Sequence, residues 1–187
     1  MALHPTGPAL ALNGLSRRRT LASALIALFP GTALAIEARL PFASGGTLVM
    51  DVPDGWRQGS QRAKTPTMVF KPPVGEAFMV LVSTFLPRTG PTTPAAVRKL
   101  MEATLAQARP NAEDADRITL KEISGASVHG LYFSATDKAP KASEYKYLTQ
   151  GVFLAGGRPA AFTILTNDDS RYAAGLALLM FSTAHRA

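Results

Sequence analysis

The sequence predicts an α+β fold, an antiparallel β-sheet sandwich flanked by two main helices, and three features carry that expectation. Several segments alternate apolar and polar residues with the period of two that marks a half-buried strand. One segment, 94–108, repeats its apolar residues at helical spacing behind a proline. The strand segments that come after it follow one another through turns, the pattern of an antiparallel meander rather than of alternating strand–helix units.

Ahead of these elements lies a stretch that reads as an address and not as part of the fold. Ser16-Arg17-Arg18-Arg19 precedes an apolar run over 21–28, Pro30-Gly31 interrupts it, and Ala33-Leu34-Ala35 has the small-x-small pattern that signal peptidase cuts. Residues 1–35 are therefore expected to be a cleavable export signal, with the mature protein starting at Ile36. A spanning helix needs about 20 apolar residues, so no transmembrane anchor is expected after cleavage. Arg17 and Arg18, with Ser16 before and Leu21 after, resemble the twin-arginine signal, although Thr20 stands where that signal has a large apolar residue. A plain Sec signal fits the charge equally. Either route leads to the periplasm or the medium. The chain has no cysteine, which excludes both a lipobox anchor and a disulfide framework.

Cleavage leaves 152 of the 187 residues, 36–187, a size expected to form a single domain. The formal charge falls from +7 to +4, because the signal holds Arg17, Arg18 and Arg19 and no acid. Residues 36–109 carry nine Lys/Arg against five Asp/Glu, whereas 110–187 balance at eight and eight. That basic half is compatible with an anionic envelope surface or an acidic partner. Nucleic acid is not expected, since no dense basic stripe with interleaved aromatics occurs.

The elements follow in order. Residues 47–52 alternate Leu48, Met50 and Val52 against Thr47, Val49 and Asp51, and Pro53-Asp54-Gly55 ends the strand as a turn before Trp56. Strands are expected over 67–71, closed by Pro72-Pro73, and over 78–86, closed by Pro87. Thr93 caps a helix with Pro94 at its first position. Val97, Leu100, Met101, Leu105 and Ala108 line one face of that helix for packing on a sheet, and Pro110-Asn111 stops it. Strands are expected again over 118–123, 128–135, 145–155 and 160–166, with a bulge or break at Ser124-Gly125 and a tight hairpin at Gly156-Gly157.

Asn167-Asp168-Asp169-Ser170 offers caps for a last helix over 171–184, with His185 and Arg186 at the end where the helix dipole favours cations. Tyr172, Leu176, Leu179 and Met180 are expected to face the core. Ala174, Leu178 and Phe181 then lie on the far side, so the helix is apolar almost all round. That second face needs a cover, either the protein's own N-terminal segment or loops, or a partner or second copy. Leu178 and Phe181 are the binding residues this expectation names.

Chemistry is sparse. His129 and His185 are the histidines left after cleavage, and without cysteine they make no tetrahedral zinc set. His129 beside Gly130 reads as a strand residue. No nucleophile elbow, phosphate loop or dinucleotide fingerprint occurs. Ser124-Gly125-Ala126-Ser127 lacks a nearby base. The acids Glu113, Asp114 and Asp116 lack the glycine and distal glutamate of a calcium loop. Neither a metal nor a cofactor is expected. Trp56, the lone tryptophan, reads as a core plug, with a ligand platform as its functional alternative.

Asp51-Val52-Pro53-Asp54-Gly55-Trp56 resembles the strand-Pro-x-Gly-Trp opening of the PsbP-like superfamily, which also includes the envelope protein DcrB. Ile123-Ser124-Gly125-Ala126 leading to Gly130-Leu131-Tyr132, and Gln150-Gly151-Val152-Phe153, extend the resemblance over most of residues 36–187. It implies a compact α/β sandwich used as an accessory or binding protein, and names no active site. The absent lipobox departs from the lipoprotein members.

The expected protein is thus a periplasmic or secreted, non-enzymatic accessory protein that binds another protein or the cell envelope. One alternative is a small-molecule or lipid carrier, which needs a sizeable apolar cavity. The other is an enzyme with a dispersed site on Asp54, His129 and Tyr132.

Overall fold

A computed structural model describes residues 36–61, 63–73, 78–167 and 171–187. The export signal, with Arg17, Arg18, Ala33 and Ala35, lies outside the described residues, as do the cap candidates Asp168, Asp169 and Ser170. The elements are β1 (Ile36–Pro41), β2 (Thr47–Val52), β3 (Arg57–Ser60), β4 (Thr67–Lys71), β5 (Phe78–Thr84), α1 (Pro94–Ala108), β6 (Lys121–Ser124), β7 (Val128–Thr136), β8 (Tyr147–Ala155), β9 (Arg158–Thr166), α2 (Arg171–Ser182) and β10 (His185–Arg186). They form an α+β sandwich of two antiparallel sheets with two helices, the fold class the sequence predicts.

The large sheet has the order β3-β4-β5-β9-β8-β7-β6, and the small one β1-β2-β10. All pairings are antiparallel, and β6 to β9 form the predicted meander. Period-two alternation sorts the large sheet's side chains into two cores. Phe78, Val80 and Val82 on β5 and Phe153, Phe162 and Ile164 on β8 and β9 point to one face, where α2 and the small sheet cover them. Leu131, Phe133, Leu148 and Val152 point to the other, under Val97, Met101, Leu105 and Ala108 of α1. Thr93 caps α1 through its side chain, which accepts from the Ala96 N–H at 3.2 Å.

Several boundaries differ from expectation for physical reasons. The strand expected over 118–123 is strand only from Lys121; Ile118 is buried beside α1, and its carbonyl takes Arg109 Nη2 at 3.3 Å instead of a ladder bond. Residues 85 and 86 belong to a connection beyond β5, not to the strand. Gly125 makes the break predicted near it: its N–H bonds the Val128 carbonyl at 3.0 Å, turning β6 back into β7.

His185 and Arg186 are not a helix end. They form β10 and pair with Val49 and Leu48, while Ala187 and Thr47 exchange two backbone bonds of 2.9 Å. Strand β1 is not among the expected elements, although Ile36, Ala38 and Leu40 alternate with Glu37, Arg39 and Pro41, and β3 is exposed along its whole length. Both are defined by pairing.

The facing of α2 differs in part: Met180 is buried as expected and Leu176 packs half-buried on the core, but Tyr172 and Leu179 face out and Phe181 faces in. Ala173, Ala177, Met180 and Phe181 are buried, whereas Tyr172 is 77% and Leu179 62% exposed. Small residues explain the choice. Ala173 and Ala177 let the helix lie close to the sheet, so that Phe181 reaches the Phe162 ring at 4.2 Å and the Phe153 ring at 5.8 Å. An all-round apolar pattern cannot indicate which face does this.

Candidate functional site

Two surface features combine chemistry with exposure: the outer stripe of α2 and a cleft where three loops meet. The stripe runs through Tyr172, half-buried Leu176 and Leu179, at positions i, i+4 and i+7 of one helix. That spacing is the one by which an amphipathic helix engages a groove.

The cleft is built by turn chemistry. Gly156 and Gly157, with φ of 54° and 76°, make a two-residue hairpin that turns β8 into β9 and sets Arg158 at the first position of β9. Gly45 and Gly46, with φ of 91° and 90°, turn β1 into β2 and present Ser44. Past β5 the chain turns at Leu86-Pro87-Arg88-Thr89, where the Thr89 N–H bonds the Leu86 carbonyl at 3.2 Å. Pro87 at the second position and a φ of 64° at Arg88 are the signature of a type II turn, whose third position normally holds glycine.

Gly90 then pins this connection in place. A β-carbon there would lie 2.6 Å from Phe85 Cγ and 2.7 Å from Pro159 Cγ, so only glycine lets the loop reach the β8–β9 hairpin. The resulting cleft of about 60 Å³ is lined by Phe42, Phe85 and Pro159 on its apolar side and by Ser44, Arg88, Thr92 and Arg158 on its polar side. Arg158 Nη1 donates to Ser44 Oγ at 3.0 Å. Among the described residues no carboxylate forms an ion pair with Arg88, Arg158 or the neighbouring Arg186. Leu86, 42% exposed, also lines it.

The residues singled out from sequence fall elsewhere. Trp56 is 6% exposed and meets the Phe78 ring edge-on at 6.1 Å, the placement of a core plug. Phe181 is fully enclosed, and Leu178 is half-buried against the same core. His129 and Tyr132 share β7, but at three positions apart they point to opposite faces of the sheet. Asp54 precedes β3, five strands away from β7 in the sheet order, about 24 Å at the usual strand spacing. Its Oδ1 accepts from the Gly55 N–H at 2.9 Å. Those three residues do not converge. Glu113, Asp114 and Asp116 form no metal-sized group, and none of three or more His, Asp or Glu occurs among the described residues.

Neither feature was found from sequence. The stripe was hidden by the all-round apolarity of α2. The cleft had two legible signals, Pro87-Arg88 after a strand and the Gly156-Gly157-Arg158 hairpin, but nothing in the order of residues places positions 88 and 158 together.

No helix among the described residues is long and apolar enough to cross a membrane. No family model and no curated protein matches the chain. Among solved structures it is similar to a protein from Bacteroides thetaiotaomicron, at 15% identity and a TM-score of 0.47, over 75% of this chain and 45% of that one. The chain thus spans less than half of that protein's length. It is also similar to the cyanobacterial PsbP protein CyanoP from Synechocystis, at 12% identity and a TM-score of 0.46, over 87% of this chain and 99% of that one.

Proposed function

We propose that this chain is an exported, non-enzymatic accessory protein that binds another protein through the outer stripe of α2. Residues 1–35 are its cleavable signal, and 36–187 act in the periplasm or the medium as one domain. The observation that carries the reading is the stripe itself. Tyr172 and Leu179 are the most exposed large apolar side chains among the described residues, at 77% and 62%, and they stand on the same line of one helix. A single exposed leucine is ordinary on a protein surface. Tyr172 and Leu179, at i and i+7 with Leu176 between them packed on the protein's own core, match the spacing of anchors in helix-in-groove recognition, in which aromatic and aliphatic side chains supply most of the affinity. The opening Asp51–Trp56, with its resemblance to PsbP-like accessory proteins, supports the same class. The carrier alternative gains nothing from the loop cleft, whose 60 Å³ is far below the roughly 300–1,000 Å³ of a ligand pocket.

The test is a photo-crosslinking amino acid placed at position 179 of the full-length protein expressed in its own cells, with a second at exposed Glu122 on β6. A discrete adduct with one protein at 179, absent at 122 and reduced by Tyr172→Asp, is the expected result. Equal adducts from both positions, or none from 179, would contradict it.

A further inference from the structure

We infer that the loop cleft between Arg88 and Arg158 is a binding site for a phosphate group. It lies apart from the α2 stripe in sequence and in its lining residues, so it stands whichever protein that helix meets.

The first observation is the backbone of Arg88. Its φ of 64° lies in the left-handed region, where a residue other than glycine is strained, and it occupies the turn position that glycine serves best. Arg88 has no hydrogen bond or ion pair with any described residue that would account for an arginine there. A side chain kept at a backbone cost, at the mouth of a cleft, points to a role outside the fold. The second observation is what faces it. Arg158 is half-buried, fixed by the Gly156-Gly157 hairpin, and oriented by its bond to Ser44. No acidic side chain lines the cleft. Arg186 runs past both hairpins, close enough that a β-carbon on Gly46 would lie 2.7 Å from its Nε and one on Gly156 2.9 Å from its Cβ, and adds a third positive charge to this end.

The donor set selects the ligand. Two guanidinium forks offer paired N–H groups, and the hydroxyls of Ser44 and Thr92 add two more donors. A carboxylate, with two oxygens, is satisfied by one fork. A tetrahedral oxyanion has enough acceptors for both forks and a hydroxyl, and its charge matches two cations. The volume permits it: about 60 Å³ is several times the roughly 10–15 Å³ that one water needs by the same measure, which leaves room for a compact phosphate group. The same chemistry is carried by a free ion or phosphomonoester and by a phospholipid headgroup, and the exposed Leu86 stands at the rim of the cleft.

The experiment uses the full-length gene product as isolated from its cells, labelled with nitrogen-15 and titrated at low ionic strength. Inorganic phosphate is expected to shift the amide signals of Arg88, Gly90, Thr92 and Arg158 saturably, where chloride at equal ionic strength does not. Arg88→Gly, which removes the fork and relieves the backbone, should weaken phosphate at least tenfold with a melting temperature equal to or above that of the parent. Arg158→Ala should do the same to binding, and Arg117→Ala, beyond the far end of α1, should leave it unchanged. Vesicle binding that is lost in Arg88→Gly, stronger for phosphatidylglycerol than for phosphatidylcholine, assigns the group to a lipid; no binding to either vesicle, with the saturable shift by inorganic phosphate kept, assigns it to a soluble phosphate. Absence of a saturable shift, or an undiminished one in Arg88→Gly, would overturn the site.

Discussion

Arg158 donates from Nη1 to Ser44 Oγ at 3.0 Å, joining the first residue of β9 in the large sheet to the hairpin between β1 and β2 in the small one. A second bond runs beside it: Thr84 Oγ1 donates to the Pro41 carbonyl at 3.0 Å, from the end of β5 to the end of β1. The two sheets are thus fastened at the end that holds the cleft. At this end turns and small donors fix the scaffold beside the packed side chains of Phe42, Phe85 and Pro159.

The first expectation concerns that scaffold. Arg88→Gly exchanges a left-handed arginine, costing about 1–2 kcal/mol, for a glycine whose extra freedom when unfolded costs about 0.4–1 kcal/mol. The balance is a gain of about 0.5 kcal/mol, read as a higher urea midpoint with an unchanged slope.

Gly125 makes a sharper demand. A β-carbon there would lie 1.8 Å from the backbone carbonyl oxygen of Ser182, so Gly125→Ala must move either the β6–β7 turn or the end of α2. Overpacking of this kind costs about 3 kcal/mol, and because the obstacle is backbone no rotamer change relieves it. Chemical denaturation of the variant measures the loss.

The facing of α2 gives a paired test. Phe181→Ala removes a ring packed on Phe153 and Phe162 and should cost about 3–5 kcal/mol. Leu179→Ser, on the outer stripe, should change stability by no more than about 0.5 kcal/mol. Equal losses would mean that the helix is turned the other way.

Thr93→Ala deletes the side-chain acceptor of the Ala96 N–H and should cost about 1 kcal/mol. Since α1 covers Phe133 and Val152 on the face away from α2, hydrogen exchange should rise in α1 first and leave the pairing of β4 with β5 protected.

The sequence revealed elements wherever local chemistry and packing agreed. Thr93 and Pro94 write the start of α1, Leu48, Met50 and Val52 write the inner face of β2, and Gly156-Gly157 writes its hairpin. It failed where pairing partners decide. His185 and Arg186 become a strand only because Val49 and Leu48 lie open to them, and β3 exists only along β4. Phe181 faces inward because Ala173 and Ala177 permit a close approach, which an apolar count cannot weigh. The cleft joins Ser44, Arg88 and Arg158 across three loops, and such proximity belongs to the topology.

The most direct measurement is the affinity of the purified protein for the partner crosslinked at position 179, compared with that of the Tyr172→Asp/Leu179→Asp double variant. Two desolvated anchors worth about 2 kcal/mol or more should together weaken binding by at least about thirtyfold, with the melting temperature held. An unchanged dissociation constant in a folded double variant would show that the outer stripe of α2 is not the surface by which this protein acts.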